Sequence, residues 1–347
     1  MNKHWTTFFK QRDHYELNTV SKLLKTLNFK KTFEIIHIVG TNGKGSVATI
    51  LHHNLMKKGY KVGLFTSPHL KNPYERIKVN NKLISDDEFT KIFDLLPQKM
   101  NFFVIFYIVA MIHFMQKSCD IVILEAGLGA RLDATNTIKG KYGIITSVDY
   151  DHMDLLGDSL KKIALEKLMI RDKAMRFYVP LKINKRIISL FNQSNTFFVA
   201  NFARTYQEQN FILAKIFLNI EFKIFDVEDI KVQGRNEIFF NNNHITVFDV
   251  GHNESGIEAT LKLLKTQKIF IQDIFIMLSN SKKINKLPEL FKKYDVHYAQ
   301  KNHHFHNFSM FNWKKVDDIE MFFKCQKAPT LYIGSFHLIG DLYDLKT

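Results

Sequence analysis

At 347 residues, with 46% hydrophobic and 24% charged side chains, the chain is long enough for two domains, each burying its own core. The formal net charge is +15, but the lysines are scattered in pairs such as Lys57-Lys58, Lys161-Lys162, Lys282-Lys283 and Lys292-Lys293. This is the pattern of a solvated surface, which argues against nucleic acid as a partner and leaves room for anionic small molecules.

The N-terminal MNKHWTTFFKQRDHYE is too polar for a secretion signal. Val20, Leu23, Leu24 and Leu27 then predict a short amphipathic helix. Ile35-Ile36-His37-Ile38-Val39 reads as a strand, running into Gly40-Thr41-Asn42-Gly43-Lys44-Gly45-Ser46 and a helix with Val47, Ile50, Leu51 and Leu55 on its apolar face. A glycine-rich turn between strand and helix binds phosphate, because unpaired amides and the positive end of the helix dipole face the anion. Lys44 can neutralise phosphate oxygens. The bland alternative is a tight turn with a solvated lysine. Gly45 separates this stretch from the commonest phosphate loop, in which a hydroxyl residue follows the lysine directly.

The helix is expected to stop at Lys57-Lys58-Gly59, cations at its negative pole and a glycine suited to the left-handed cap. Tyr60 to Phe65 reads as a second strand, and Pro68 in Thr66-Ser67-Pro68-His69-Leu70 bars further sheet pairing. Ser85-Asp86-Asp87-Glu88 is a helix start. Phe102 to Met115 is a buried helix, too short for a bilayer, which needs about 20 apolar residues. Asp120 to Glu125 and Tyr142 to Val148 read as buried strands, ending on an acid and on Asp149-Tyr150-Asp151-His152. Strands alternating with helices imply a parallel sheet whose carboxyl ends face a ligand crevice, to which Gly40 to Ser46, Ser67, Glu125 and His152 all belong.

In the next helix Asp158 is the expected cap, with Leu160, Ile163, Ala164 and Leu168 as the buried stripe. Lys167 falls on that stripe. Either its stem snorkels to water, or burial depresses its pKa and leaves a reactive free amine. Residues 172–234 look less regular apart from a helical pattern at Asn210 to Ile216. A second α/β series follows, with strands at Ile245 to Asp249, Phe275 to Leu278 and Thr330 to Ile333, a turn at Gly251-His252-Asn253 and a helix at Gly256 to Lys265. The boundary falls near Gln233-Gly234-Arg235. His303-His304-Phe305-His306 lacks a partner acid at metal spacing and reads as a surface loop. Cys119 and Cys325 show neither disulfide nor metal-ligand spacing, which fits a reducing cytoplasm.

The stretches HIVGTNGKGSVA (37–48), TSPHL (66–70), ERI (75–77), LEAGLGARLDATN (124–136), ITSVDYDHMDLLGDSLKKIALEKLMI (145–170), DVGHN (249–253) and GSFHLIG (334–340) together resemble the folylpolyglutamate synthase and dihydrofolate synthase family of the Mur ligase superfamily. The resemblance implies an α/β fold, with an N-terminal P-loop mononucleotide-binding domain on a mostly parallel sheet (1–232) and a smaller C-terminal Rossmann-like domain (236–347). It implies an ATP-dependent ligase that adds L-glutamate to dihydropteroate, to tetrahydrofolyl-(poly)glutamate, or to both, through an acyl phosphate. Gly40, Thr41, Asn42, Gly43, Lys44, Gly45 and Ser46 would hold the ATP phosphates. Asn210, Arg235, Asp249 and His252 would complete the ATP site, and Ser67, Glu125 and His152 would ligate magnesium, with two metal sites in all. Lys44, Lys167 and His152 would serve catalysis, Lys167 as a carbamate. Relatives of this kind are commonly monomeric.

The chain departs from the family pattern in three places. Gln233-Gly234-Arg235 replaces Pro-Gly-Arg, Phe103-Val104 and Tyr107 stand where relatives carry Phe-Glu and threonine, and Asn280-Ser281-Lys282-Lys283 stands at their Asp-Lys-Asp. Two other readings remain open at this stage: a Mur-type ligase acting on a different carboxylate, such as a cell-wall precursor, and a nucleotide-binding module that has lost ligation.

Overall fold

The structure, a computed structural model, describes residues 15–97, 99–200 and 203–346. Most of the polar N-terminal segment therefore lies outside the described residues.

The predicted first helix is α1 (Leu17–Thr26), which buries Val20 and Leu24. Eight strands form the first sheet: β1 (Glu34–Val39), β2 (Val62–Phe65), β3 (Ile77–Val79), β4 (Lys82–Leu83), β5 (Ile121–Glu125), β6 (Tyr142–Ile145), β7 (Arg176–Pro180) and β8 (Thr196–Val199). Their order is β4-β3-β2-β5-β1-β6-β7-β8, parallel except for β3, which runs antiparallel to both β2 and β4. The central strand β1 is buried from Ile35 to Val39, as a strand covered on both faces must be, and Ile36 is flanked by Ile123 of β5 and Tyr142 of β6.

Helix α2 (Lys44–Lys57) begins inside the glycine turn and stops where expected, with Gly59 at a left-handed φ of 98°. Ser85 caps α3 (Asp86–Phe93) reciprocally with Glu88. Helix α4 (Phe102–Gln116) is buried from Val104 to Phe114. No helix among the described residues is long and apolar enough to cross a membrane.

Two expectations need correction. Ser159, and not Asp158, caps the helix that carries Lys167: its Oγ accepts from Lys162 N, while exposed Asp158 pairs with the Lys162 ammonium at 3.1 Å. The helices here are α5 (Met153–Leu156) and α6 (Leu160–Leu168). The stretch read as irregular also holds β7 and β8, which extend the sheet by Phe177 pairing Thr196 and Tyr178 pairing Phe197.

Helix α7 (Tyr206–Phe222), capped by Thr205, packs Leu213 and Phe217 against Val47 and Leu51 of α2. Fully burying a side chain such as Phe217 contributes about 1.5–3 kcal/mol, so α7 is fastened to the back of the glycine turn. The second sheet comprises β9 (Glu237–Asn241), β10 (His244–Asp249), β11 (Asp273–Ile276), β12 (Asp295–Tyr298), β13 (Lys314–Lys315) and β14 (Thr330–Ile333). Its order is β13-β12-β11-β14-β10-β9, with only β9 antiparallel. Helices α8 (Glu254–Thr266), α9 (Leu287–Phe291), α10 (Ile319–Lys324) and α11 (Phe336–Tyr343) accompany it. The carboxyl ends of β1, β2, β5 and β6 in the first sheet and of β10 in the second meet in one crevice, bridged by the hydrogen bonds described next.

Candidate functional site

The loop from Gly40 to Ser46 is held from beneath by the β6 end. Thr41 N donates to Ser147 O at 3.0 Å, Asn42 N to Ser147 Oγ at 2.9 Å, and Thr146 Oγ1 to Asn42 O at 2.6 Å. Two glycines are required by space. A Cβ on Gly40 would lie 2.0 Å from Thr146 Oγ1, and one on Gly43, at φ 86°, would lie 2.5 Å from Asn210 Oδ1. Helical bonding begins with Val47 N to Gly43 O, so the amides of Lys44, Gly45 and Ser46 head the helix as free donors for an anion. Lys44 folds back, its Nζ donating to Gly40 O at 3.2 Å and Thr41 O at 3.3 Å, and burial pushes its ammonium down from the ordinary value.

Glu125, at the end of β5, is 4% exposed and faces this loop across Gly45, whose added Cβ would be 3.4 Å from Oε2. Ser67 N donates to the same Oε2 at 3.1 Å. Burial raises the Glu125 carboxyl, opposed by Lys44, the Ser67 amide, Arg235 and Arg76. A buried carboxylate and a serine hydroxyl are hard oxygen donors, the set that suits magnesium. Among the described residues no group of three or more His, Cys, Asp or Glu side chains is placed to hold a metal ion by itself.

Lys167 does not snorkel. It is 2% exposed, its Nζ donates to Gly40 O at 2.9 Å, and burial, with Lys44 nearby, pushes its ammonium down to about 7. The amine therefore lies directly under the glycine loop.

His152, at a left-handed φ of 47°, is engaged from the loop that follows β11: Lys282 Nζ lies 2.9 Å from its Nε2 and 2.6 Å from Asp151 Oδ1. Burial alone would raise Asp151, but Lys282, His152 and His252 hold its carboxyl well below the usual range. Asn253 donates to Asp151 Oδ2 at 3.0 Å and exchanges amide hydrogen bonds with Asn42 at 3.0 and 3.2 Å. His252 Nδ1 lies 3.0 Å from Val250 O, and burial holds the ring at about 3, hence neutral. His306 Nε2, from the histidine-rich loop, sits 2.9 Å from Lys282 O and steadies the backbone that carries this lysine.

Asp249, at the end of β10, accepts from Gly251 N at 2.7 Å, Asn236 N at 2.8 Å and Tyr206 Oη at 3.0 Å. Burial raises its carboxyl against the pull of Arg235. Arg235 lies with its guanidinium carbon 5.2 Å from the Phe336 ring centre. Asn210, Ser46 and Arg235 line two adjoining cavities. One of about 180 Å³ is shared with Gly43 and Asp249, and one of about 650 Å³ with Gln207, Asn236 and Gln267. The larger lies in the range of about 300–1,000 Å³ usual for ligand sites.

Residues 38–235 match the Mur ligase middle domain. This chain belongs to the Mur ligase family. Its relatives within that family include the dihydrofolate synthase/folylpolyglutamate synthase of Buchnera aphidicola subsp. Schizaphis graminum, 40% identical over 162 residues, covering 45% of this chain and 38% of that one. The dihydrofolate synthetase of Saccharomyces cerevisiae is 33% identical over 234 residues, covering 61% and 55%. The chain thus spans between about a third and just over half of the length of such curated relatives. Among solved structures, E. coli FolC in complex with DHPP and ADP superposes with a TM-score of 0.83 at 22% identity, covering 98% of this chain and 96% of that one. A bifunctional folylpolyglutamate synthase/dihydrofolate synthase with Mn, AMPPNP and L-glutamate bound gives 0.84 at 20% identity, covering 99% and 97%. The Mur ligase fold, two mostly parallel sheets with the loop between them, therefore extends over nearly the whole chain.

Of the residues singled out in the sequence, the structure gathers Gly40 to Ser46, Ser67, Glu125 and Lys167 around one loop, sets Asn210, Arg235 and Asp249 on its flank, and brings His152 and His252 to Asp151. Asp151, Asn253 and Tyr206 were not read as site residues. Asp151 and Asn253 adjoin His152 and His252 in sequence, a signal available but unused, whereas nothing local marks Tyr206.

Proposed function

We propose that this Mur ligase family member is an ATP-dependent acid–amino-acid ligase that joins L-glutamate to the carboxylate of dihydropteroate, of a reduced folyl-(poly)glutamate, or of both. The observation that carries the reading is Lys167 Nζ, 2.9 Å from Gly40 O: a buried, easily neutralised amine directly beneath a phosphate-binding loop. The names of the relatives and the ligands in their structures support the choice of substrates.

In this reading, free amides of the glycine loop and Lys44 hold the β- and γ-phosphates. Asn210, Arg235, Asp249 and His252 hold the rest of the nucleotide. An acceptor carboxylate oxygen attacks the γ-phosphorus and ADP leaves. The amine of glutamate then attacks the acyl carbon, phosphate leaves, and the amine proton is lost to solvent or base. Ser67 and Glu125 would hold a first magnesium ion, and His152 and Lys167 would serve a second. The ions would supply neutralisation of the crowded phosphate charge. Lys167 acts as a carbamate: its ammonium gives up a proton, the neutral amine adds to carbon dioxide, and a second proton is lost, so that a cation becomes an anion. We further propose two domains, 1–232 and 236–347, hinged at Gln233 to Arg235, in a cytoplasmic monomer.

Phosphate release from ATP with magnesium and L-glutamate tests the reading. Turnover dependent on dihydropteroate or on tetrahydrofolate is expected, and no acceptor-dependent turnover with either overturns it.

A further inference from the structure

The turn Gln233-Gly234-Arg235 leads into the second sheet with no proline to stiffen it, and Gly234 takes a left-handed φ of 66°. Side chains hold it instead. Glu237, the first residue of β9, accepts from Gly234 N at 2.9 Å, and its other oxygen accepts from Tyr343 Oη at 3.1 Å and pairs with Lys346. Tyr343 also hydrogen-bonds the Gln233 side chain. Burial alone would raise the Glu237 carboxyl, but the Gly234 amide and Lys346 hold it below its ordinary value, so it is charged at neutral pH. Tyr343 ends α11, which also rests on the loop after β2 that carries Ser67. A Cβ on Gly340 would lie 2.1 Å from Leu70 O, so only glycine permits that approach. Lys71 of the same loop pairs with Asp344, its Nζ 5.8 Å from the Tyr343 ring centre.

Turn, helix and loop meet at Gly234, where an added Cβ would lie 3.5 Å from both Ile339 Cγ2 and Leu70 Cδ1. Gln233, Glu237 and Lys346 line the cavity of about 650 Å³ together with Arg235. A glycine turn is free to swing unless its neighbours fix it, and a carboxylate accepting from turn, helix and tail at once does so with charge-assisted hydrogen bonds. We propose that α11, through Tyr343 and Glu237, is a brace that fixes the turn between the two sheets and so holds the nucleotide cavity in its binding shape. The proposal rests on the hinge and the nucleotide site of the ligase reading above. Tyr343 and Glu237 are thereby positioning residues, acting through Gly234 and not by contact with the nucleotide.

Tyr343→Phe removes the hydroxyl and keeps the ring. In the full chain, ADP titrated calorimetrically with magnesium should bind this variant about 3- to 10-fold more weakly than the wild type, the range for one net hydrogen bond. Glu237→Gln should weaken it similarly, and the double variant should lose little more than either single one, because both act through one contact. Amide hydrogen exchange at Gly234 should quicken in the same variants. A merely structural tyrosine would lower the unfolding midpoint and leave ADP affinity alone, which overturns the proposal, as does strict additivity of the two substitutions. If Glu237→Gln fails to fold, Tyr343→Phe decides by itself: unaltered ADP affinity counts against the brace. Absence of ADP binding in the wild type removes the nucleotide site and the brace together. Acceptor-dependent phosphate release measured in parallel keeps the two readings apart: ADP affinity that follows Tyr343 without any turnover preserves the brace and removes the ligase, whereas turnover with ADP affinity indifferent to Tyr343 does the reverse.

Discussion

Replacing Lys167 by methionine keeps the length and apolar stem of the side chain and removes the ammonium. In the unfolded chain the amine keeps its ordinary pKa of 10.5, while burial lowers it to about 7 in the fold. Below pH 7 both states hold the proton, and the full cost of burying the charge is present. Between pH 7 and 10.5 the unfolded state holds it and the native state does not, so wild-type stability must rise with pH across this window. The slope relative to Lys167→Met is about 1.4 kcal/mol per pH unit, or up to about 5 kcal/mol over the whole interval. The lost hydrogen bond to Gly40 O adds a pH-independent offset of about 1 kcal/mol in favour of the wild type. Urea unfolding of both proteins in carbon-dioxide-free buffer from pH 6 to 10 measures the difference, with the variant gaining most at the acid end. Bicarbonate should then stabilise the wild type alone, since only it can form a carbamate. Parallel stability curves for the two proteins would show that the amine is not buried as described and remove the basis for its modification.

Gly43→Ala places a methyl group 2.5 Å from Asn210 Oδ1 at a backbone angle that disfavours any side chain, and should weaken ADP binding by at least about tenfold in isothermal titration. Lys282→Ala leaves Asp151, itself buried, without its cation and should cost about 3–5 kcal/mol of stability at neutral pH, read by denaturant unfolding. Because the Asp151 carboxyl is held below its ordinary range, its contribution is present at neutral pH and lost as pH falls through the acid range, so the gap between wild type and Lys282→Ala should narrow in acid.

The glycine turn and the strands around it were legible because their signals are local. β-branched runs made β1 and β5, glycines marked the loop, and Ser85 with Glu88 announced a helix start. β7 and β8 were missed for a physical reason. They are short, and the Phe177, Tyr178, Phe197 and Phe198 that make them strands also suit an irregular buried segment, so it is the neighbouring β6 that decides. The cap of α6 turned on one residue, Ser159 or Asp158, both chemically able; geometry chose the serine and left the aspartate to Lys162. Lys167 stood out as a charge on an apolar stripe, but the stripe could not say whether the ammonium reached water. Asp151 with Lys282 and Tyr206 with Asp249 are pairs separated by 131 and 43 positions, and no local pattern records such partnerships.

The central claim is that the phosphate loop serves to activate a carboxylate. An acceptor carrying heavy oxygen in its carboxylate, turned over with ATP, magnesium and L-glutamate, tests it most directly. An acyl phosphate requires one labelled oxygen to leave in the inorganic phosphate, detected by mass spectrometry. Unlabelled phosphate accompanying amide formation would contradict the account.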